Sequence, residues 1–328
     1  MKISDFDRFA FVVGAPRCGT TTISRLLRAH PQLSFSLVKE PHFFSQHDLR
    51  DSADQQLRKL VENEYLERFF EPSKARVGAE GSVSYLYTPE QMEPALRLWP
   101  DSRFIIAVRD PMAMLPSLHS RLIYTGDETI TRFEDAWAAI PDRAAGRRIP
   151  RSCADPRWLR YEEAARFGTF VERMFAAVGR DRCLVVVFDD LVADTASQST
   201  RIVDFLGLNP IEPAAPRPRR ATYQVRYPWL QRLLKRPPEP LRPVLAGRHY
   251  RRRVVEDAAG DEGGGDAIEK MLSIRKKLLR WNRVPGVKRP VPLAVQQDIK
   301  ARLQGEIGHL GELIGRDLSH WLTPREQE

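Results

Sequence analysis

Five short apolar runs mark the first two-thirds of the chain, at 9–13, 33–35, 76–79, 103–108 and 183–188. Their apolar residues stand on consecutive rather than alternate positions, the pattern of strands buried on both faces in a parallel sheet. Helical periodicity fills the intervals: 20–29 after the first run, 55–70 and 89–98 around the third, 115–124 after the fourth, 162–178 before the fifth, and 195–206 after it, stopping at Gly207. Strands alternating with helices predict a three-layer α/β fold with a central parallel sheet of about five strands.

The character changes beyond Leu208. Residues 209–220 are rich in proline, and a basic, partly amphipathic segment follows, with Tyr227, Trp229, Leu230, Leu233 and Leu234 among arginines. The stretch 257–266 has the glycine-rich composition of a mobile loop. Helical patterns then resume at 267–280 and 296–315. The expected organisation is an α/β core over 1–208, then a basic arm, a flexible cap loop and C-terminal helices packing on the core over 209–328.

Composition narrows the class. The 328 residues are 42% hydrophobic and 29% charged, which is ordinary for a globular chain long enough to bury its core without staples. Three widely spaced cysteines, Cys18, Cys153 and Cys183, imply neither a disulfide framework nor a zinc site. The apolar run at 9–13 is too short for a signal peptide, and no run is long enough for a membrane span, so a cytoplasmic location is expected. The net charge of +9 is concentrated: 217–253 holds twelve basic residues and one acid, Glu239. Such a patch predicts an anionic partner. No nucleic-acid reader motif accompanies it, so nucleic acid is not the expected one.

The candidate chemistry follows the ends of the apolar runs. Gly14-Ala-Pro-Arg-Cys-Gly19, then Thr20, Thr21 and Thr22, leads from a strand through a turn into a helix. Glycines there let the backbone approach an anion, and N–H groups at the helix start bind it. The spacing is that of the phosphate loop G-x-x-x-x-G-K-[ST], except that Thr20 holds the lysine position. This argues against hydrolysis of ATP or GTP. Arg17 is the nearest cation, suited to neutralising a phosphate and its bridging oxygen. The strand at 103–108 ends in Arg109, and Ser117 follows eight residues later. Ligands of open parallel sheets bind beyond the carboxyl ends of strands, so these two side chains can meet one anion. Lys39-Glu40-Pro41-His42-Phe43-Phe44 follows the second strand, with Pro41 barring Glu40 from the right-handed helical region. The third strand leads into Glu80, Ser82, Ser84 and Tyr85. Asp189 and Asp190, after the fifth, read as capping the turn there.

Residues 16–21, Pro-Arg-Cys-Gly-Thr-Thr, resemble the 5′-phosphosulfate loop of sulfotransferases that use 3′-phosphoadenosine 5′-phosphosulfate (PAPS). Arg109 and Ser117 match that family's 3′-phosphate motif position for position. Residues 39–44 closely resemble the segment holding the catalytic glutamate of carbohydrate sulfotransferases of the heparan-sulfate type. The resemblance implies a P-loop-like fold and transfer of a sulfuryl group from PAPS to a hydroxyl or amine of a carbohydrate, lipid or small-molecule acceptor, with no metal required. It implies donor contacts from Arg17, Cys18, Gly19, Thr20, Thr21, Thr22, Arg109 and Ser117. It makes Glu40 the general base, with His42 as the alternative, and Arg17 a catalytic cation.

Residues 78–87 resemble the family's acceptor-cleft segment Glu-Lys-(Ser/Thr)-Pro-x-Tyr, which implies acceptor contacts from Ser82 and Tyr85; Lys39, from the segment after the second strand, is expected to join them and to neutralise charge nearby. Here the chain departs from the pattern: Gly81 stands where the family's frequent lysine would be. The arm at 217–253 lies where members close over the donor. It is expected to meet the donor, an anionic carbohydrate or glycolipid acceptor, or a membrane surface. Residues 313–321 resemble the C-terminal packing helix of bacterial members, which puts Leu318 and Trp321 in the core. Two other classes stay open: a P-loop kinase using ATP and magnesium, and a non-catalytic membrane-associated binding protein on the same fold.

Overall fold

A computed structural model describes residues 1–211, 223–236, 265–285 and 290–323. Five strands, β1 (Arg8–Gly14), β2 (Leu33–Phe35), β3 (Val77–Gly81), β4 (Arg103–Val108) and β5 (Cys183–Val187), form one sheet in the order β2-β3-β1-β4-β5. Every neighbouring pair is parallel. The expected α/β class and strand count are both met. The chain runs from β1 outward to β2, returns to β3, then crosses to the other side of β1 for β4 and β5. The direction therefore reverses beside β1, where a crevice opens at the carboxyl ends of such sheets.

Parallel crossovers need helices between the strands, and α1 (Thr20–Ala29), α2 (Pro111–Thr125) and α3 (Phe167–Val178) are the longest of these. The helices α4 (Thr195–Phe205), α5 (Pro228–Lys235), α6 (Gly265–Trp281) and α7 (Leu293–Ile314) follow β5. A two-stranded antiparallel pair, β6 (Tyr223–Val225) with β7 (Arg283–Pro285), had no legible signal in the sequence. Asp189 and Asp190 lie inside a short helix, Phe188–Ala193, whose N-cap is Val187. Asp190 does not cap the turn as expected; it pairs with Arg316.

Contacts divide the chain into two units. Among the described residues the first comprises 1–114, 165–211 and 300–323, and the second 115–164, 223–236, 265–285 and 290–299. The core of the first unit is an aromatic stripe on one sheet face. Phe9 and Phe11 point the same way because strand side chains alternate, and Phe11 stacks on Phe104 across the ladder at 5.4 Å. Phe44, Tyr65, Phe70, Tyr85 and Trp99 close over them. Leu318 and Trp321 are buried in this unit, as expected. The second unit is organised around a buried ion pair: Arg143 Nη2 donates to Glu128 Oε2 at 2.6 Å, both side chains sealed from solvent. The Thr129 and Ile130 N–H groups and the Tyr161 hydroxyl also donate to Glu128. No helix among the described residues is long and apolar enough to cross a membrane.

Candidate active site

In the first unit, the segments that follow β1, β2, β3 and β4 carry every predicted donor-binding, base and acceptor residue except Ser117, and all leave the carboxyl edge of the sheet. The loop after β1 turns at Gly19, whose φ of 92° is left-handed. A Cβ added there would lie 2.9 Å from both Leu191 and Phe188, so glycine is required twice over. Helix α1 begins at Thr20; the first N–H groups of a helix lack acceptors one turn back, and here that of Thr22 turns to the Gly19 carbonyl at 2.8 Å. Thr21 and Thr22 are exposed at that end, whereas Thr20 is buried. Arg17 is exposed, with φ of 64°. Cys18 turns the other way: its thiol is fully buried, and burial pushes its pKa far above the ordinary value, against the pull of Arg109 and Arg17.

Arg109, at the end of β4, reaches this loop. Its Nη1 donates to the Arg17 carbonyl at 3.2 Å, and its guanidinium lies 4.3 Å over the Phe188 ring. The loops after β1 and β4 are thus joined, and two guanidinium groups border the start of α1. Asp110 caps α2 through a 2.8 Å bond from the Met112 N–H. Ser117 is half-buried on α2.

The loop after β2 is strained. Glu40 and His42 have φ of 65° and 57°, a region that residues with a Cβ rarely occupy. Pro41 bars Glu40 from the right-handed helical region as expected, but the chain answers with a left-handed turn rather than extension. Two bonds hold it: the Glu40 N–H donates to the Gly81 carbonyl at 3.0 Å, and the His42 N–H donates to Ser82 Oγ at 2.9 Å. Of the four non-glycine residues with left-handed φ among the described residues, three are Arg17, Glu40 and His42. Each such residue costs about 1–3 kcal/mol, a strain that clusters at functional sites. Lys39 Nζ donates to Glu40 Oε1 at 2.5 Å, and His42 Nε2 lies 3.9 Å from Glu40 Oε2. All three side chains are partly open to solvent. The Ser84 hydroxyl contacts His42 Nδ1 at 2.7 Å.

Beneath this loop sits Glu80, wholly buried at the end of β3. It accepts hydrogen bonds from the hydroxyls of Tyr85 at 2.6 Å, Ser82 at 2.7 Å and Tyr65 at 3.1 Å. Burial raises its pKa to about 7; the three donors oppose the rise and the nearby charge of Glu40 adds to it. Burial and the Glu80 charge hold the Tyr65 and Tyr85 phenols well above their usual range. Ser82 and Tyr85, expected to touch an acceptor, are buried with their hydroxyls committed to Glu80. Gly81 has a local reason to depart from lysine: a Cβ there would sit 2.7 Å from the Ser24 hydroxyl of α1. Sequence reasoning noted Glu80 without giving it a role; the spacing Glu80-x-Ser82-x-x-Tyr85 was the available signal. Tyr65 and Phe188 gave none, because their partners lie far away in sequence.

The fold and these loops define an α/β protein with a strand–turn–helix loop after β1 in which Thr20 follows the second glycine and Arg17 stands two residues before it. The chain belongs to the sulfotransferase family, whose model matches residues 10–213. It is 25% identical over 210 residues to human heparan sulfate glucosamine 3-O-sulfotransferase 6, a match covering 61% of this chain and 52% of that protein. A shorter match, 46% identical over 35 residues, links it to human carbohydrate sulfotransferase 15, covering 11% of this chain and 6% of that one. The chain spans about half the length of the heparan sulfate relatives it matches. Its fold is similar to that of a sulfotransferase crystal structure from Alicyclobacillus acidocaldarius, with a TM-score of 0.61, 20% identity, and coverage of 96% of this chain and 98% of that one.

Proposed function

We propose that this protein transfers a sulfuryl group from PAPS to a hydroxyl or amine of a carbohydrate, lipid or small-molecule acceptor. The observation that carries the reading is the bond from Arg109 to the Arg17 carbonyl, which joins the loops after β1 and β4, the two segments read here as anion sites, at the carboxyl edge of the sheet. A donor with both a 5′-phosphosulfate and a 3′-phosphate calls for two such segments; ATP does not. When bound, the donor supplies an electrophilic sulfur and a phosphate leaving group. Arg17, the backbone at Cys18 and Gly19, and Thr20, Thr21 and Thr22 hold the 5′ end, and Arg17 offsets charge on the departing phosphate oxygen. Arg109 and Ser117 hold the 3′-phosphate. Glu40 accepts the acceptor's proton as the acceptor oxygen or nitrogen bonds to sulfur and the S–O bond to the donor's 5′-phosphate breaks. Lys39 neutralises charge beside it and His42 is the alternative base. Ser82 and Tyr85, whose hydroxyls donate to Glu80, anchor the Glu40 loop by accepting from the His42 and Phe44 N–H groups.

In this reading 1–208 is the donor-binding core and 209–328 supplies the arm and cap. Most of the arm, and residues 257–264 of the glycine-rich stretch, lie outside the described residues. Within 223–236 and 273–285, Trp229, Trp281 and Tyr227 are 59%, 51% and 42% exposed among nine basic residues and no acid. That surface supports an anionic acceptor or a peripheral membrane contact. The test is transfer of label from PAPS by the wild type and Glu40→Gln. Turnover falling by about 100-fold or more with donor affinity nearly intact supports the assignment; unchanged turnover removes Glu40 from the role. Tighter, magnesium-dependent binding of ATP favours a kinase. Vesicle binding without PAPS consumption by any acceptor favours a non-catalytic membrane protein.

A further inference from the structure

The second unit holds a cluster of cations to which the reading above gives no individual roles. Arg283 Nη2, on β7, donates to the Tyr124 hydroxyl at 2.5 Å, and its guanidinium carbon lies 5.2 Å from the centre of that ring. Lys235 Nζ, at the end of α5, lies 4.8 Å from the same centre. Arg121, less than one turn before Tyr124 on α2, lies 5.6 Å from it. Arg275 of α6 joins them: its Nε donates to the Leu234 carbonyl at 3.0 Å, and its charge acts on Lys235. Four cations from four elements surround one phenol.

Two buried amides hold this arrangement. Gln231 donates to the Tyr124 carbonyl at 2.8 Å. Asn282 donates to Gln231 and to the Tyr227 carbonyl, and accepts from the Tyr227 N–H. They tie α5 and the start of β7 to the end of α2, so the cations stand on fixed backbone. The neighbouring Arg236 is neutralised by Asp127 at 2.8 Å. By contrast, no carboxylate among the described residues pairs with Arg121, Lys235 or Arg275. Partial burial lowers the pKa of both Lys235 and Arg275, and the neighbouring cations add to the effect at Lys235. Lys235 and Arg283 draw the Tyr124 phenol down in turn. Like charges held this close repel, and an oxyanion between them removes that cost.

We propose that Arg121, Lys235, Arg275 and Arg283 form a binding site for a phosphate or sulfate monoester, with the Tyr124 hydroxyl as a further donor. Arginine forks match the oxygens of such groups and the lysine adds a point charge. Arg121 and Arg283 are exposed and Tyr124 is half-buried, so the site is open to solvent. It does not depend on the sulfuryl-transfer reading.

The test is calorimetric binding to the full chain of inorganic sulfate, adenosine 3′,5′-bisphosphate and a sulfated monosaccharide. Lys235→Met and the exposed variant Arg121→Gln should each weaken at least one probe by about tenfold or more, with thermal melts confirming that they fold. Lys59→Met removes an exposed cation of the first unit, outside the cluster, and should change nothing. The bound probe should also raise the pH at which tyrosinate absorbance appears, an effect that Tyr124→Phe abolishes. Loss confined to the bisphosphate makes the donor the source of the anion; loss confined to the sulfated sugar makes it the acceptor. Equal weakening by Lys59→Met, or binding of every probe unchanged in both cluster variants, overturns the site. Donor binding through Arg109 is read separately with Arg109→Met, so failure here leaves the transfer reading standing.

Discussion

Glu80 is a carboxyl folded into an apolar interior, and replacing it with glutamine has a consequence whose size follows from its surroundings. Its ordinary value of 4.5 rises to about 7. At about 1.4 kcal/mol per pH unit, that rise amounts to about 3 kcal/mol. The folded state binds the proton more tightly than the unfolded chain, so the group's stabilising contribution is fully present below pH 4.5. It is lost as pH rises through about 7, and is constant above that. Glutamine has the same shape and no charge. Its carbonyl can accept from Tyr65 and Tyr85, and its amide can donate to Ser82. The wild type should therefore lose about 3 kcal/mol relative to Glu80→Gln between pH 4.5 and pH 8. Urea denaturation of both proteins across that range measures the difference, and subtracting one curve from the other cancels groups that titrate alike in both. A difference that stays flat, or that grows in the wild type's favour as pH rises, refutes the burial and bonding assigned to Glu80.

Three further outcomes follow from the same geometry. Gly19→Ala places a Cβ at a left-handed φ against Leu191 and Phe188; it should cost about 1–2 kcal/mol in chemical denaturation and weaken donor binding in calorimetry. Arg109→Met keeps an apolar chain over Phe188 but removes the charge, so affinity for adenosine 3′,5′-bisphosphate should fall by about tenfold or more. Glu128→Gln strips the charge from a sealed pair and leaves Arg143 uncompensated, which should destabilise the protein by about 3–5 kcal/mol in urea titration.

How far the site could be read in advance depended on how local each interaction is. The loop from Gly14 to Thr22 was legible because a strand, a turn and a helix start are contiguous, and backbone geometry there follows from residue type. Glu40 was legible as chemistry, while its left-handed conformation was not. Pro41 excludes one region of backbone space and leaves others; the bonds that choose among them come from Gly81 and Ser82 on another strand. Glu80 shows the same limit. Its neighbours Ser82 and Tyr85 are visible along the chain, but burial, which sets its proton affinity, is a property of the assembled core.

By itself the sequence determined the five strands, most of the long helices and the residue types at the carboxyl edge of the sheet. Hydrophobic period and turn chemistry are encoded within a few residues, so each of these is a local property. Tertiary structure alone decided that Arg109 meets the Arg17 loop, that Phe188 lies beneath Arg109, and that Arg121, Lys235, Arg275 and Arg283 converge on Tyr124. Those contacts join residues distant along the chain. They exist only once packing has fixed the elements that carry them, because only burial of the shared core offsets the entropy of bringing such segments together.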